Sequence, residues 1–265
     1  CLAASAFTAP AYAENPAVVD VLMANIERQT HLKPTFESAA EDGDGNVTIT
    51  KLAFAPASPE VTMNLTIDKV QLDDVSDEQD TIIQVGKATF SGLKIDAKAA
   101  DGQSFTVDMP EGSAENWYIK DAGDNPSPAD LARASMSVAK KMSSGKITIN
   151  AMGQSIISDG YESNWDGDPA TGAGKSNFKL ASFTIPEALI AMADPTQTLK
   201  NLGYGDVVID VAGDGEYRND SENMGFDMNM GIAAKDMAGL KFSVNADKIP
   251  LAALAELQNA SSTGK

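Results

Sequence analysis

Residues 207–244 read VVIDVAGDGEYRNDSENMGFDMNMGIAAKDMAGLKFSV, and their spacing decides the fold. Val207, Ile209 and Val211 alternate with Val208, Asp210 and Ala212. Phe226, Met228, Met230 and Ile232 alternate with Asp227, Asn229 and Gly231. Leu240, Phe242, Val244 and Ala246 alternate with Lys241, Ser243, Asn245 and Asp247. Side chains on a strand point alternately to opposite faces, so each run makes one apolar face and one polar face. A helix needs apolar residues every three or four positions, and these runs lack them. The period and the polar alternate positions predict three antiparallel strands with one solvated face; a buried parallel sheet would read as unbroken Val, Ile and Leu. Gly213-Asp214-Gly215 with Arg218 to Ser221, and Asp236 to Gly239, read as the connections.

Further upstream the same alternation recurs. Val47 and Ile49, then Leu52 and Phe54, predict a strand whose phase shifts at a bulge. Val61 to Ile67 make a second strand, continued after a phase slip by Val70 and Leu72. Asp73 to Asp80 reads as an acidic loop. Ile83 to Phe90, Leu93 to Ala97 and Phe105 to Met109 follow, with Pro110 expected to stop the last. Asn15-Pro16 opens a short helix carrying Val18, Val19, Leu22 and Ile26. Ser127, Pro128 and Asp130 have the spacing of a capping box and predict a second helix. Its apolar face is Leu131, Val138 and Met142, and Gly145 ends it. Tyr161 to Gly174 reads as a long loop or hairpin. A strand, a proline and an apolar helix occur twice, at Phe178 to Ala193 around Pro186 and at Phe242 to Leu257 around Pro250, with Phe178/Phe242 and Ile185/Ile249 at one offset.

The first thirteen residues carry no charge and end Ala11-Tyr12-Ala13, an A-x-A cleavage pattern. They read as the remnant of a signal peptide, with the rest exported to the periplasm; the alternative is that Cys1 is a lipidated N-terminus. Cys1 is the one cysteine, so the exported chain has no disulfide and no thiol chemistry. With 38 acidic against 20 basic residues the formal net charge is −18. Nucleic acid and anionic lipid surfaces are polyanions and repel such a chain, so a nucleic-acid partner is not expected. No stretch approaches the roughly 18 apolar residues of a membrane span.

Motifs that would carry chemistry are absent. There is no G-x-S-x-G elbow, no P-loop and no dinucleotide-binding glycine pattern, and His31 is the sole histidine, which argues against an enzyme and against any cofactor. Asp42, Asp44 and Asn46 have the spacing of a calcium loop, but Val47 stands where the loop needs Gly and Ala53 where it needs Glu. Asn164, Asp166 and Asp168 fail in the same way, and no metal site is expected. Phe226, Met228, Met230 and Phe242, with Met237 nearby, gather sulfur and aromatic groups on one sheet face. Met adapts to variable apolar ligands, so these four residues are the candidate ligand-binding set, against the plainer reading of an ordinary core.

The run Leu202-Gly203-Tyr204-Gly205-Asp206-Val207, with the meander that follows, resembles uncharacterised exported β-rich proteins of alphaproteobacterial envelopes. The resemblance covers mainly residues 200–257. It implies an envelope location and a sheet, and brings no known active site.

The expectation is therefore a mainly β protein: an antiparallel curved sheet or meander, or two similar halves, with a few short covering helices. Residues 14–120 form an N-terminal β-rich half, 121–127 a linker, and 128–265 a C-terminal β-rich half. The expected function is a non-enzymatic periplasmic binding or carrier protein for an apolar envelope component such as a lipid. The alternative is a structural or protein-interaction component of the envelope with a protein partner at a sheet edge, and a carboxylate-based hydrolase ranks last.

Overall fold

A computed structural model describes residues 16–30, 32–55, 62–79, 81–98, 102–123, 126–134, 136–194, 196–220 and 222–254. The signal-peptide reading of residues 1–13, and His31, lie outside them. The chain begins with helix α1 (Ala17–Thr30). Strands β1 (Lys33–Thr35), β2 (Ser38–Glu41), β3 (Val47–Ala55), β4 (Thr62–Gln79), β5 (Ile82–Lys98) and β6 (Ser104–Lys120) follow, then α2 (Pro128–Ala134). Next come β7 (Val138–Ser144), β8 (Ile147–Ala151), β9 (Gln154–Ser158), β10 (Gly160–Asp168), β11 (Ala173–Ile185), α3 (Glu187–Ala193), α4 (Thr198–Asn201), β12 (Val207–Asn219), β13 (Asn223–Ala234) and β14 (Gly239–Pro250). Residues 251–254 are helical.

All described strands belong to one antiparallel sheet, ordered β1-β3-β4-β5-β6-β7-β10-β11-β12-β13-β14. β2 pairs with β3, and the β8–β9 hairpin bridges β6 and β11 beside β7 and β10. The mainly-β antiparallel expectation is met. Residues 121–127 separate β6 from α2 along the chain, but the sheet runs through, because β6 pairs with both β5 and β7.

Long strands change their facing in step, at lines where one residue on each strand drops out of the pairing. Lys51 on β3 has φ 50°, which places Ile49 and Leu52 on the same face although they are three residues apart. The ladder shows the same step on each neighbour. Lys51 falls opposite Asp68, Asp68 opposite Gly92 (φ 67°), and Gly92 opposite Pro110, between flanking pairs such as Ser91–Glu111 and Leu93–Met109. A second line holds Asp74 (φ 56°) and Asn116 (φ 48°), with Ala88–Ala114 on one side and Val85–Trp117 on the other. The register itself shifts at Asp77–Gln79, Leu180–Phe183 and Met224–Phe226, where a bulge bends the strand and sharpens the twist.

These irregularities explain where the strand limits differ from expectation. Pro110 does not stop β6; it sits where the ladder skips a pair, so its missing N–H leaves no partner wanting. Asp73 to Gln79 is strand, not loop, because β5 pairs with it out to Gln79–Ile82. Gly213 and Gly215 lie inside β12, where small residues admit neighbours closely, and the strand runs on to Asn219. The capping box at Ser127 forms: Ser127 Oγ accepts from the Asp130 N–H at 3.2 Å, and Asp130 Oδ2 accepts from the Ser127 N–H at 3.0 Å. Helix α2 nevertheless ends at Ala134, and Val138 and Met142 belong to β7, paired to Tyr118 and Ala114. Free β6 and β10 edges offered these residues a ladder, and tertiary pairing outweighed the helical spacing.

The strand-proline-helix unit is present twice. β11 runs into Pro186 and α3, and β14 ends at Pro250 before the helical residues 251–254. The main core lies under α1, where Val18, Val19 and Leu22 are buried against Val47, Ile49, Leu52, Leu72, Val85 and Ile119.

Candidate functional site: an apolar cleft and an open apolar face

The register strings one apolar row across the sheet. Val47, Leu72, Ala88, Ala114, Met142, Ser163, Phe178, Gly213, Met230 and Phe242 are successive cross-strand partners from β3 to β14. Residues directly opposite on neighbouring strands share a face, so this row is a single continuous surface. Its first half lies under α1. Among the described residues, no helix comparable to α1 packs over the second half, on β11 to β14.

Beneath α1 the covering is incomplete. Leu22, Asn25 and Ile26 of the helix stand over Leu52, Phe54, Ile67, Val70, Phe90 and Trp117, and a cleft of about 380 Å³ remains between them. Ala139, Ser137 and Met142 continue it toward β7. This volume falls within the roughly 300–1,000 Å³ of ligand sites, and the lining is overwhelmingly apolar. Ser137 Oγ is a buried polar atom in the wall that finds no hydrogen-bond partner among the described groups. Asn25 is already engaged. It is 3% exposed, its Nδ2 donates to the Lys120 carbonyl at 2.9 Å, and its Oδ1 accepts from Arg28 at 2.6 Å, which ties α1 to the end of β6.

The structure brings the four residues singled out from sequence together, though not in this cleft. Phe226, Met228 and Met230 lie on one face of β13, and Phe242 of β14 is the cross-strand partner of Met230. Phe226, Met228 and Met230 are half-buried and Phe242 is 40% exposed. They form part of the open face with Val244 and Leu240. The cleft residues of β3 to β5 were read from sequence only as strand interiors, and those of β6 beyond Pro110, among them Ala114 and Trp117, were placed in no element. The signal that could have marked them is the match of Val18, Leu22 and Ile26 on one helix to a sheet face too wide for one helix to cover.

A polar groove of about 770 Å³ lies at the ends of β10 to β13, lined by Asp166, Lys175, Glu216, Arg218, Asp220 and Asp247. Arg218 pairs with Asp227, which also accepts from Asn245. The bond from Arg218 holds the Asp227 carboxyl below its usual range, and backbone N–H groups of Glu222 and Asn223 do the same for Asp220. A proton donor in catalysis needs a carboxyl shifted the other way. The loop at Asp42 spends its carboxylate on its own turn, accepting from the N–H groups of Asp44 and Asn46 and from Asn46 Nδ2. Among the described residues no three His, Cys, Asp or Glu side chains gather in a metal-binding group, and no helix is long and apolar enough to cross a membrane.

No protein-family model, curated protein or solved structure matches the chain.

Proposed function

We propose that the protein is a non-enzymatic periplasmic binding or carrier protein for an apolar envelope component such as a lipid. The observation that carries the reading is the apolar cleft of about 380 Å³ under α1, whose lining includes Ala88, Ala114 and Met142 of the row that runs out to Phe242. A sheet face left underfilled by its covering helix can hold an acyl chain in the cleft. Phe226, Met228 and Met230 extend the apolar surface for the remainder of a larger ligand. The Ala11-Tyr12-Ala13 pattern supports export to the periplasm.

Native mass spectrometry of the protein taken from its own compartment, followed by solvent extraction, tests this. A stoichiometric apolar molecule is expected. Ala114→Phe, which fills the cleft, should lower affinity for a fluorescent fatty acid by at least tenfold. Met228→Gln with Met230→Gln should lower it less if the cleft is the primary site. A clean apo mass with no uptake of the probe would sink the carrier reading.

A second reading is supported by a separate observation. β14 has β13 as its one strand partner among the described residues, and Gly239 to Asn245 are all exposed. A long uncovered edge suits a structural or protein-interaction role in the envelope.

A further inference from the structure

We infer that the free edge of β14 pairs with the same edge of a second copy of this chain, antiparallel about a two-fold axis through Val244. The inference is independent of what the cleft holds.

Hydrogen bonding along β13 and β14 decides which groups face outward. The Ala234 N–H donates to the Ala238 carbonyl at 2.9 Å, and the Lys235 N–H donates to Val208 on the other side at 2.9 Å. In an antiparallel ladder such pairs alternate, so the pairs Ile232–Leu240, Met230–Phe242 and Met228–Val244 bond inward. The backbone groups of Lys241, Ser243 and Asn245 therefore point away from β13, at the open edge. The opposite edge of the sheet is blunted, because β1 is three residues long and contains Pro34.

Charge selects the occupant and the register. The polar face of β14 carries Lys241 at one end and Asp247 at the other, with Ser243 and Asn245 between. Two copies crossing at Val244 put Ser243 opposite Asn245 and Lys241 opposite Asp247, each twice. Sliding by two residues sets Lys241 against Asn245 or Ile249 and loses both ion pairs. The same register puts Val244 against Val244 and Phe242 against Ala246, so the open apolar faces of both copies join in one surface. Lys241, Ser243 and Asn245 present their backbone groups outward in this register, and Asp247 follows them at the step where the ladder shifts between Phe226–Ala246 and Met224–Ile249. An edge strand from an unrelated protein would have no reason to match both the charge positions and the bonding phase.

Sedimentation velocity at ~100 µM protein in physiological salt, where a micromolar interface is filled, tests this. The wild type should sediment at twice the mass of its own monomer. Lys241→Asp and Asp247→Lys should each weaken dimerisation at least tenfold, and the double variant should restore it, because the swap rebuilds both pairs. Ser243→Pro removes one outward N–H and leaves the β13 ladder whole; it should be monomeric with an unchanged circular dichroism spectrum. A monomeric wild type overturns the inference. So does a dimer that persists in the single charge variants and the proline variant, or a double variant that stays monomeric.

Discussion

The ring of Phe178 on β11 lies across Gly213 on β12, so near that a Cβ at Gly213 would stand 2.6 Å from it. The same Cβ would stand 2.7 Å from the Asn229 carbonyl on β13, which is backbone and cannot swing aside. Gly213→Ala should therefore destabilise the fold by about 1–3 kcal/mol through overpacking. Gly203, where nothing lies within 4 Å of a Cβ, has φ 87° and is a poor control; Ala212→Ser on the opposite face of β12 should cost far less. Urea unfolding of the two variants checks the difference, and equal midpoints would remove the packing account.

Asn25 holds α1 over the cleft through one buried bond to the Lys120 carbonyl. Asn25→Leu keeps the volume and leaves that carbonyl without its donor. The expected cost is about 1–3 kcal/mol, the penalty for a buried unpaired polar group. Because α1 roofs the cleft, the variant should also release a bound fatty-acid probe faster. Stopped-flow dissociation against wild type reads this directly, and an unchanged rate would separate α1 from the cleft's closure.

Lys120 is 5% exposed, and its Nζ has no hydrogen-bond partner among the described groups. Burial pushes the amine down to about 8, a shift that Asp168 partly opposes. Below about pH 8 the folded and unfolded chains both hold the proton, and the full cost of burying the charge is present. Between about 8 and the ordinary 10.5 the unfolded chain binds the proton and the folded chain does not, so stability rises with pH across that window. Lys120→Met should stabilise the protein at pH 7 by on the order of 1–3 kcal/mol, and the gain should shrink toward pH 10.5. Unfolding of both chains at pH 7 and pH 10 checks the sign; a gain that grew with pH would contradict it.

How much of this was legible in the sequence depended on which interaction governed each segment. Period-2 runs such as Phe226 to Ile232 identified their strands because side-chain burial on one face is a local pattern. The capping box at Ser127 was legible for the same reason, since both its bonds close within four residues. The end of α2 was not, because Val138 and Met142 have helical spacing, and only the partners Tyr118 and Ala114 reveal them as strand. Pro110 and Gly213 misled in one way: each is a local signal for breaking a strand, and each is tolerated by what lies on the next strand, the break in pairing at Gly92 or the Phe178 ring. The cleft was the least legible feature. It arises from α1 failing to cover residues on β3 to β7, which shows only when the one apolar stripe of the helix is set against the width of the sheet face. The chosen set Phe226, Met228, Met230 and Phe242 found the same apolar row at its uncovered end, because there the alternation is clean.

The two tryptophans offer a last test of where an apolar ligand sits. Trp117 lines the cleft, whereas Trp165 is buried with Ile82, Tyr118 and Val138. Emission from an indole responds to the polarity around its ring, and a ligand that displaces water from the cleft changes that polarity only for Trp117. Titration with a saturated fatty acid should shift the emission of the wild type to shorter wavelength. Trp165→Phe should keep the whole shift, and Trp117→Phe should lose it while retaining its fold by circular dichroism. Trp117 is half-buried, so its replacement by the smaller ring should cost about 1–2 kcal/mol and leave the chain folded. A shift carried equally by both variants would place the ligand outside the cleft, and the open face of β11 to β14 would then become the site to mutate.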